Sequence, residues 1–308
     1  MNIVFPDFIN LTADAQVKLQ KLFDIKIYKD TPKTPEEIIK RIKDAQIVTA
    51  NFIDLTGEII KNAPKLKYII SPAAGYDWID IKTAKKLGIR VLNCPTYNSQ
   101  SVAEHAIGLI FAVKRHLIQA HDSILRGQFD TKTFVGTEVL GKYLVTVGHG
   151  NIGKRVLKMA EGLGMKTSYI DTKTTKNEFD SLIRLADIIV LSIPLKDSTR
   201  NIFDVRRISL MKKNAILINV ARGLVVDQEA LYQALSNNKI AGAGIDTFPK
   251  DETITKADAN ITRFAKLNNT VTTPHVGFNT LEASQRLGDQ LIEDIESCTK
   301  GKPINIVS

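Results

Sequence analysis

The chain has 308 residues, 44% hydrophobic and 24% charged, with a formal net charge of +9; this suits about two globular domains, and no run approaches the ~18–20 apolar residues of a membrane span. The opening "MNIVFPDF" lacks the basic and long apolar regions of a signal peptide, and Cys94 and Cys298 stand far apart without metal-ligand spacing, so reduced thiols in a cytoplasmic protein without a metal are expected. The lysines are scattered rather than gathered into an arm or patch, which speaks against nucleic acid and for a basic surface that attracts small anions.

In chain order, short β-prone runs "NIVF", "IKIY", "AQIVTA", "KYIIS" and "RVLNC" alternate with amphipathic stretches such as "TADAQVKLQKLF" and "TPEEIIKRIKDA". Helix-sized spacing between strands predicts parallel βαβ units. One long helix is expected from about Gln100 to Leu125, with the apolar "AIGLIFAV" as a buried or interface stretch. A second α/β series follows with strands "LVTVG", "KTSYID", "DIIVLSI", "AILINV", "IAGAGID" and "TVTTP". The tail, Leu281–Thr299, reads as a helix able to pack back on the first series.

Within "YLVTVGHGNIGKRV", Gly148, Gly150 and Gly153 form G-x-G-x-x-G between a strand and a helix. The first glycine permits a tight turn, the second lets a diphosphate approach the backbone, and the third lets the helix pack on the strand, so that free amides at the helix start face the phosphates. The next strand ends in Asp171, 23 residues after Gly148. A carboxylate there accepts from the adenosine ribose hydroxyls and repels a 2′-phosphate, which favours NAD over NADP; Lys173 nearby would soften the repulsion.

Reducing a ketone needs a proton donor and a cation for an anionic substrate. "AILINVARG" ends a strand at Arg222, placed to meet a carboxylate through two hydrogen bonds, and "VTTPHVG" ends another at His275, whose imidazole can exchange a proton near neutrality. His116 and His121 read as ordinary residues of the long helix, and His149, in the glycine loop, as pointing to solvent. "IDTFPKDE" offers Asp246, Asp251 and Glu252 as carboxylate partners for the imidazole.

Taken together, "AAGYDWID", "NSQSVAEHAIGLI", "GKYLVTVGHGNIG", "ADIIVLSIPLKDSTRNIF", "MKKNAILINVARGLVVDQEAL", "AGAGIDTF" and "TTPHVG" resemble the D-isomer-specific 2-hydroxyacid dehydrogenases over nearly the whole chain. The resemblance implies an α/β fold of two Rossmann-like, doubly wound parallel-sheet domains. A substrate domain of residues 1–98 and 281–308 would receive an inserted NAD-binding domain of residues 99–280, with ligands in the cleft between them. It implies that the long helix is a crossover and a contact of a homodimer. Arg222 would bind the substrate carboxylate and carbonyl, His275 would protonate the carbonyl oxygen, and amides near Ala74 and Gly75 would hold the carboxylate. Gly148, Gly150, Asn151, Ile152 and Gly153 would bind the cofactor loop to loop. Asp171, Pro194, Thr199 and Ala221 would lie along it, and Asp246 would meet the nicotinamide carboxamide. The substrate would be a small 2-keto or D-2-hydroxy acid.

Two departures qualify this. The family places a glutamate five residues after the aspartate of the "IDTF"-type motif; here Asp251 stands there and Glu252 follows, so Asp251 reaches His275, or Glu252 does, or neither does. Asp251 is taken as the partner. Phosphoglycerate-oxidising relatives carry an Arg-Ser pair after the third strand, where this chain has Asn51 and Phe52, and no further domain is expected after the last helix. Both lean toward glyoxylate, hydroxypyruvate or pyruvate, with 3-phosphoglycerate as an alternative. Trp78 would narrow the pocket or belong to the core. A rival from another class is an NAD(H)-sensing interaction protein on the same fold.

Overall fold

The structure, a computed structural model, describes residues 1–249 and 257–307. It divides into two compact units, residues 1–98 with 279–308, and residues 99–278.

The first unit runs β1 (Ile3–Phe5), α1 (Ala13–Leu22), β2 (Ile25–Ile27), α2 (Pro35–Ile42), β3 (Ile47–Thr49), α3 (Gly57–Lys61), β4 (Tyr68–Ser71), α4 (Ile81–Lys86) and β5 (Arg90–Asn93), and regains the chain at α12 (Leu281–Thr299). Its five strands are parallel in the order β2-β1-β3-β4-β5. Alternate residues serve opposite faces, as the strand period demands. Val4, Val48, Ile69 and Val91 join the core under α2 and α3, while Ile3, Phe5, Ile47, Ile70 and Leu92 join the core that includes α1 and α12. Each fully buried side chain of this kind stabilises by about 1.5–3 kcal/mol. The helices start on side-chain caps. Thr34, for example, accepts from Glu37 N with Pro35 at the first helical position and Lys40 and Arg41 in the last turn, which suits both the free amides and the dipole.

The second unit opens with α5 (Ser99–Lys114) and α6 (Leu117–Leu125). It continues β6 (Tyr143–Val147), α7 (Asn151–Gly162), β7 (Lys166–Ile170), α8 (Lys176–Leu185), β8 (Ile188–Leu191), α9 (Val205–Leu210), β9 (Ile216–Asn219), α10 (Gln228–Ser236), β10 (Gly242–Ile245), α11 (Ala259–Ala265) and β11 (Thr270–Thr272). Six parallel strands lie in the order β11-β10-β9-β8-β6-β7. Here too Val145, Ile189, Leu217 and Ile245 face one core and Leu144, Val190, Ile216 and Ile218 the other. Buried on both sides, the strands read as continuous apolar runs.

The expected single helix over Gln100–Leu125 is instead two. His116 takes a left-handed backbone, φ 52°, and the Lys114 carbonyl accepts from Thr137 N at 3.0 Å. A contact 23 residues away thus ends α5, which local periodicity could not show. Among the described residues, no helix is long and apolar enough to cross a membrane.

Candidate active site

The glycines after β6 divide into two kinds. Gly148 has φ +111°, and a Cβ there would lie 2.6 Å from Ser192 O and 2.9 Å from Ile193 Cγ2. A Cβ on Gly153 would run into the Gly148 carbonyl. These two are required by the chain's own packing. Gly150 is different: its backbone is extended, φ −82° and ψ −161°, and a Cβ there would meet nothing within 4 Å. No protein atom forbids a side chain, yet glycine keeps that space clear.

The same residue is the N-cap of α7 and makes no side-chain cap bond. By contrast Thr175, Asp204, Asp227 and Asp258 cap α8, α9, α10 and α11, each accepting a helix amide. The start of α7 therefore presents its positive end without a side-chain oxygen over it, a setting in which an anion is stabilised. Asp171, just past β7, accepts from Lys173 N at 2.8 Å through Oδ1; Oδ2 has no partner among the described residues. These features fit a dinucleotide: clear space at the positive end of a helix for the diphosphate, and a carboxylate oxygen for the ribose. His149 does not point to solvent as expected. It is half-buried and stacks on Tyr169, centroids 3.6 Å apart at 21°, because the neighbouring strand offers a ring face.

At the end of β8, Ser192 Oγ donates to Gly148 O at 3.3 Å. Thr199 Oγ1 donates to Pro194 O at 2.7 Å and accepts from Lys196 N at 2.8 Å, so it closes the 194–199 loop. At the end of β9 the buried Asn219 shapes the next turn: Oδ1 accepts from Ala221 N at 3.1 Å and Nδ2 donates to Arg222 O at 3.0 Å. Arg222 is half-buried and its Nη1 donates to Ala221 O at 2.8 Å. In the sequence Asn219 reads as one more strand residue.

Past β10 and β11 the bonds converge on Asp246, 2% exposed. Its Oδ1 accepts from Thr273 Oγ1 at 2.6 Å and Val276 N at 3.0 Å, and its Oδ2 from Gly277 N at 3.0 Å. His105 Nε2, on α5, lies 3.3 Å from Oδ1. Burial by itself raises the Asp246 carboxyl, but the His105 and Thr273 bonds and the Val276 amide outweigh it and hold it below the usual carboxylate range. The Asp246 carbonyl accepts from His275 N at 2.8 Å. His275 itself is left-handed, φ 52°, and stands edge-on to Phe278, centroids 5.9 Å apart. Asp251 and Glu252 lie outside the described residues.

The carboxyl edge of the second sheet thus gathers the glycine loop, Pro194, Arg222, Asp246 and His275, with Asp171 just past the edge strand β7. Ala74 and Gly75 lie in the first unit, just after β4. There Ser71 Oγ donates to Gly75 O at 2.7 Å and Asn93 Nδ2 to Ala74 O at 2.8 Å; the Ala74 and Gly75 amides have no acceptor among the described residues. Trp78 Nε1 donates to Ala50 O at 2.8 Å and its ring packs against the first unit's core. Among the described residues no group of three His, Cys, Asp or Glu side chains could hold a metal ion.

Comparison with known proteins agrees with this geometry. Residues 107–277 match the family described as "D-isomer specific 2-hydroxyacid dehydrogenase, NAD binding domain". The chain is 37% identical to a glycerate dehydrogenase of Methylorubrum extorquens, over 89% of each chain. It is 36% identical to a D-3-phosphoglycerate dehydrogenase of Methanocaldococcus jannaschii, over 95% of this chain and 56% of that one. A solved acyclic imino acid reductase in complex with NADPH and D-Arg superposes with a TM-score of 0.92 at 33% identity, covering 100% of both chains. The chain belongs to the D-isomer specific 2-hydroxyacid dehydrogenase family. It is an oxidoreductase with that family's NAD-binding domain, built to interconvert 2-keto acids and D-2-hydroxy acids.

Proposed function

We propose that the protein reduces a small, unphosphorylated 2-keto acid such as hydroxypyruvate or glyoxylate with NADH, reversibly. The observation that carries the dinucleotide part is Gly150, kept free of a side chain that the protein alone would accommodate. The cofactor, when bound, supplies or takes the hydride at the substrate C2. Arg222 orients the substrate carboxylate and polarises the carbonyl through its planar guanidinium. His275 gives its proton to the carbonyl oxygen and takes it back in oxidation, with Asp251 as its partner. Amides at Ala74 and Gly75 receive the carboxylate. Gly148, Asn151, Ile152 and Gly153 frame the diphosphate, Asp171 reads the ribose, and Asp246 reads the carboxamide. Pro194, Thr199 and Ala221 shape the surrounding loops.

The unphosphorylated substrate is supported by the loop after β3. The Asn51 and Phe52 amides already donate to Asp7 Oδ2, at 3.1 and 2.5 Å, and a buried carboxylate behind them disfavours a second anion. A homodimer is supported by apolar side chains exposed together along 117–140: Leu117, Ile118, Ile124, Leu125, Phe129 and Val135; light scattering at the monomer mass would remove it. The two cysteines are free and buried, which supports a cytoplasmic setting.

The test is the initial rate of NADH oxidation with hydroxypyruvate, glyoxylate, pyruvate and 3-phosphohydroxypyruvate, each repeated with NADPH. The expected result is turnover of an unphosphorylated acid with NADH. Turnover of the phosphorylated acid alone would overturn the substrate reading. Tight NADH binding with no turnover would favour a sensor.

A further inference from the structure

We propose that His105 is a positioning residue for His275, acting through Asp246 and Thr273; this rests on the proton-transfer role given to His275 above. One hydroxyl proton sets the arrangement. Thr273 Oγ1 gives it to Asp246 Oδ1, at 2.6 Å, so toward His105 Nε2, 3.0 Å away, the same oxygen can only accept. His105 Nε2 therefore carries hydrogen, and that N–H lies between Thr273 Oγ1 and Asp246 Oδ1, which is 3.3 Å from it. The imidazole adds a second tie between two strand ends that the Thr273–Asp246 bond already joins, Asp246 after β10 and Thr273 after β11.

What these strand ends hold is the turn that presents His275. The Asp246 carbonyl receives His275 N, its carboxylate receives Val276 N and Gly277 N, and between these bonds His275 adopts φ +52°. A left-handed non-glycine residue is costly and persists where its surroundings over-determine it. Gly277 completes the seat: a Cβ there would lie 2.9 Å from Asp246 Oδ2 and 3.3 Å from His105 Cδ2.

The helix that carries His105 is held in register by small residues. His105, Leu109 and Val113 repeat every four residues on one face of α5, and Gly242, Gly244 and Asp246 repeat every two on one face of β10. A Cβ on Gly244 would lie 2.9 Å from Leu109 Cβ, and one on Gly242 would lie 2.8 Å from Val113 Cγ1. Two close glycine contacts set the helix on the strand, and the next step of each repeat brings His105 over Asp246. The His105 side chain is 23% exposed and that of Asp246 3%, so the N–H is shielded from competing water.

The experiment compares His105→Ala and His105→Gln, the second keeping an N–H donor at the side-chain end, in two readouts. By NMR, without any substrate, His105→Ala shifts the backbone amides of residues 275–277 and the His275 ring protons, and His105→Gln restores them. By kinetics at saturating NADH, His105→Ala lowers kcat by about 100-fold with KM for the keto acid unchanged, His105→Gln recovers most of it, and His105→Ala costs nothing further in a His275→Ala background. Unmoved 275–277 resonances, or a folded His105→Gln no better than His105→Ala, would overturn the proposal. A protein that turns over no 2-keto acid would overturn the proposed function instead, and the NMR comparison would still decide the role of His105. If His105→Ala does not fold, the Gln variant alone decides, by the same resonances.

Discussion

The two sheets reverse strand order at corresponding places: between β1 and β3 in the first, between β6 and β8 in the second. Such switch points are where open α/β sheets take ligands. In the first, the chain fills its own: Asp7, 0% exposed, accepts the Asn51 and Phe52 amides. In the second, Gly148 turns away under Ser192, Gly150 adds no side chain, and α7 starts without a side-chain cap. The same topology yields one crevice filled by a buried carboxylate of the chain, and one where a helix starts without a side-chain cap beside a glycine that leaves space clear. A ligand site shows here as a departure from a capping rule kept by α8, α9, α10 and α11 around it.

The sharpest break of that comparison is Gly150→Ala. Its Cβ has room and its backbone is extended, so the melting temperature should hold while NADH affinity falls at least about tenfold, roughly 1.4 kcal/mol. Gly148→Ala, at φ +111°, should instead destabilise. Equal stability losses in both would mean that Gly150 serves packing. Next in size is Asp171→Ala, expected to relax the preference for NADH over NADPH by about one order of magnitude; an unaltered ratio in paired titrations would remove Asp171 from ribose recognition.

The smallest effect concerns the closed crevice. Burial pushes the Asp7 carboxyl up to about 6 although the Phe52 and Asn51 amides pull the other way. Its folded value exceeds its unfolded one, so the folded state holds an extra proton between about pH 4 and 6, and the stability this contributes is lost as pH rises through about 6. The melting temperature of Asp7→Asn relative to the natural chain should therefore climb by roughly 2–6 °C from pH 4 to pH 7. A pH-independent difference would show that Asp7 is ionised throughout.

The sequence was most legible where function constrains consecutive residues. The glycine loop, the acid closing the next strand, and the Arg222 and His275 strand ends are local patterns, and each lies on the carboxyl edge of a parallel sheet as βαβ periodicity predicts. The C-terminal helix does return to the first unit, where Gly288 lets it lie directly against Ala15. Less legible was whatever depends on residues far apart. His105 is 168 residues from the Thr273 it meets, and the break at His116 depends on Thr137. Asn219 hides in an apolar strand because its side chain serves the turn two and three residues later. A trace of His105 was present: the four-residue repeat His105, Leu109, Val113 matched to the two-residue repeat Gly242, Gly244, Asp246 is a helix face fitted to a strand face.

The most direct test is His275→Ala, followed by kcat for the keto acid and by NADH affinity from fluorescence. If the carboxyl edge of the second sheet is the reaction centre, kcat falls by about 10²–10⁴-fold and NADH binds as before. Undiminished turnover in His275→Ala would contradict the account and move the proton donor elsewhere.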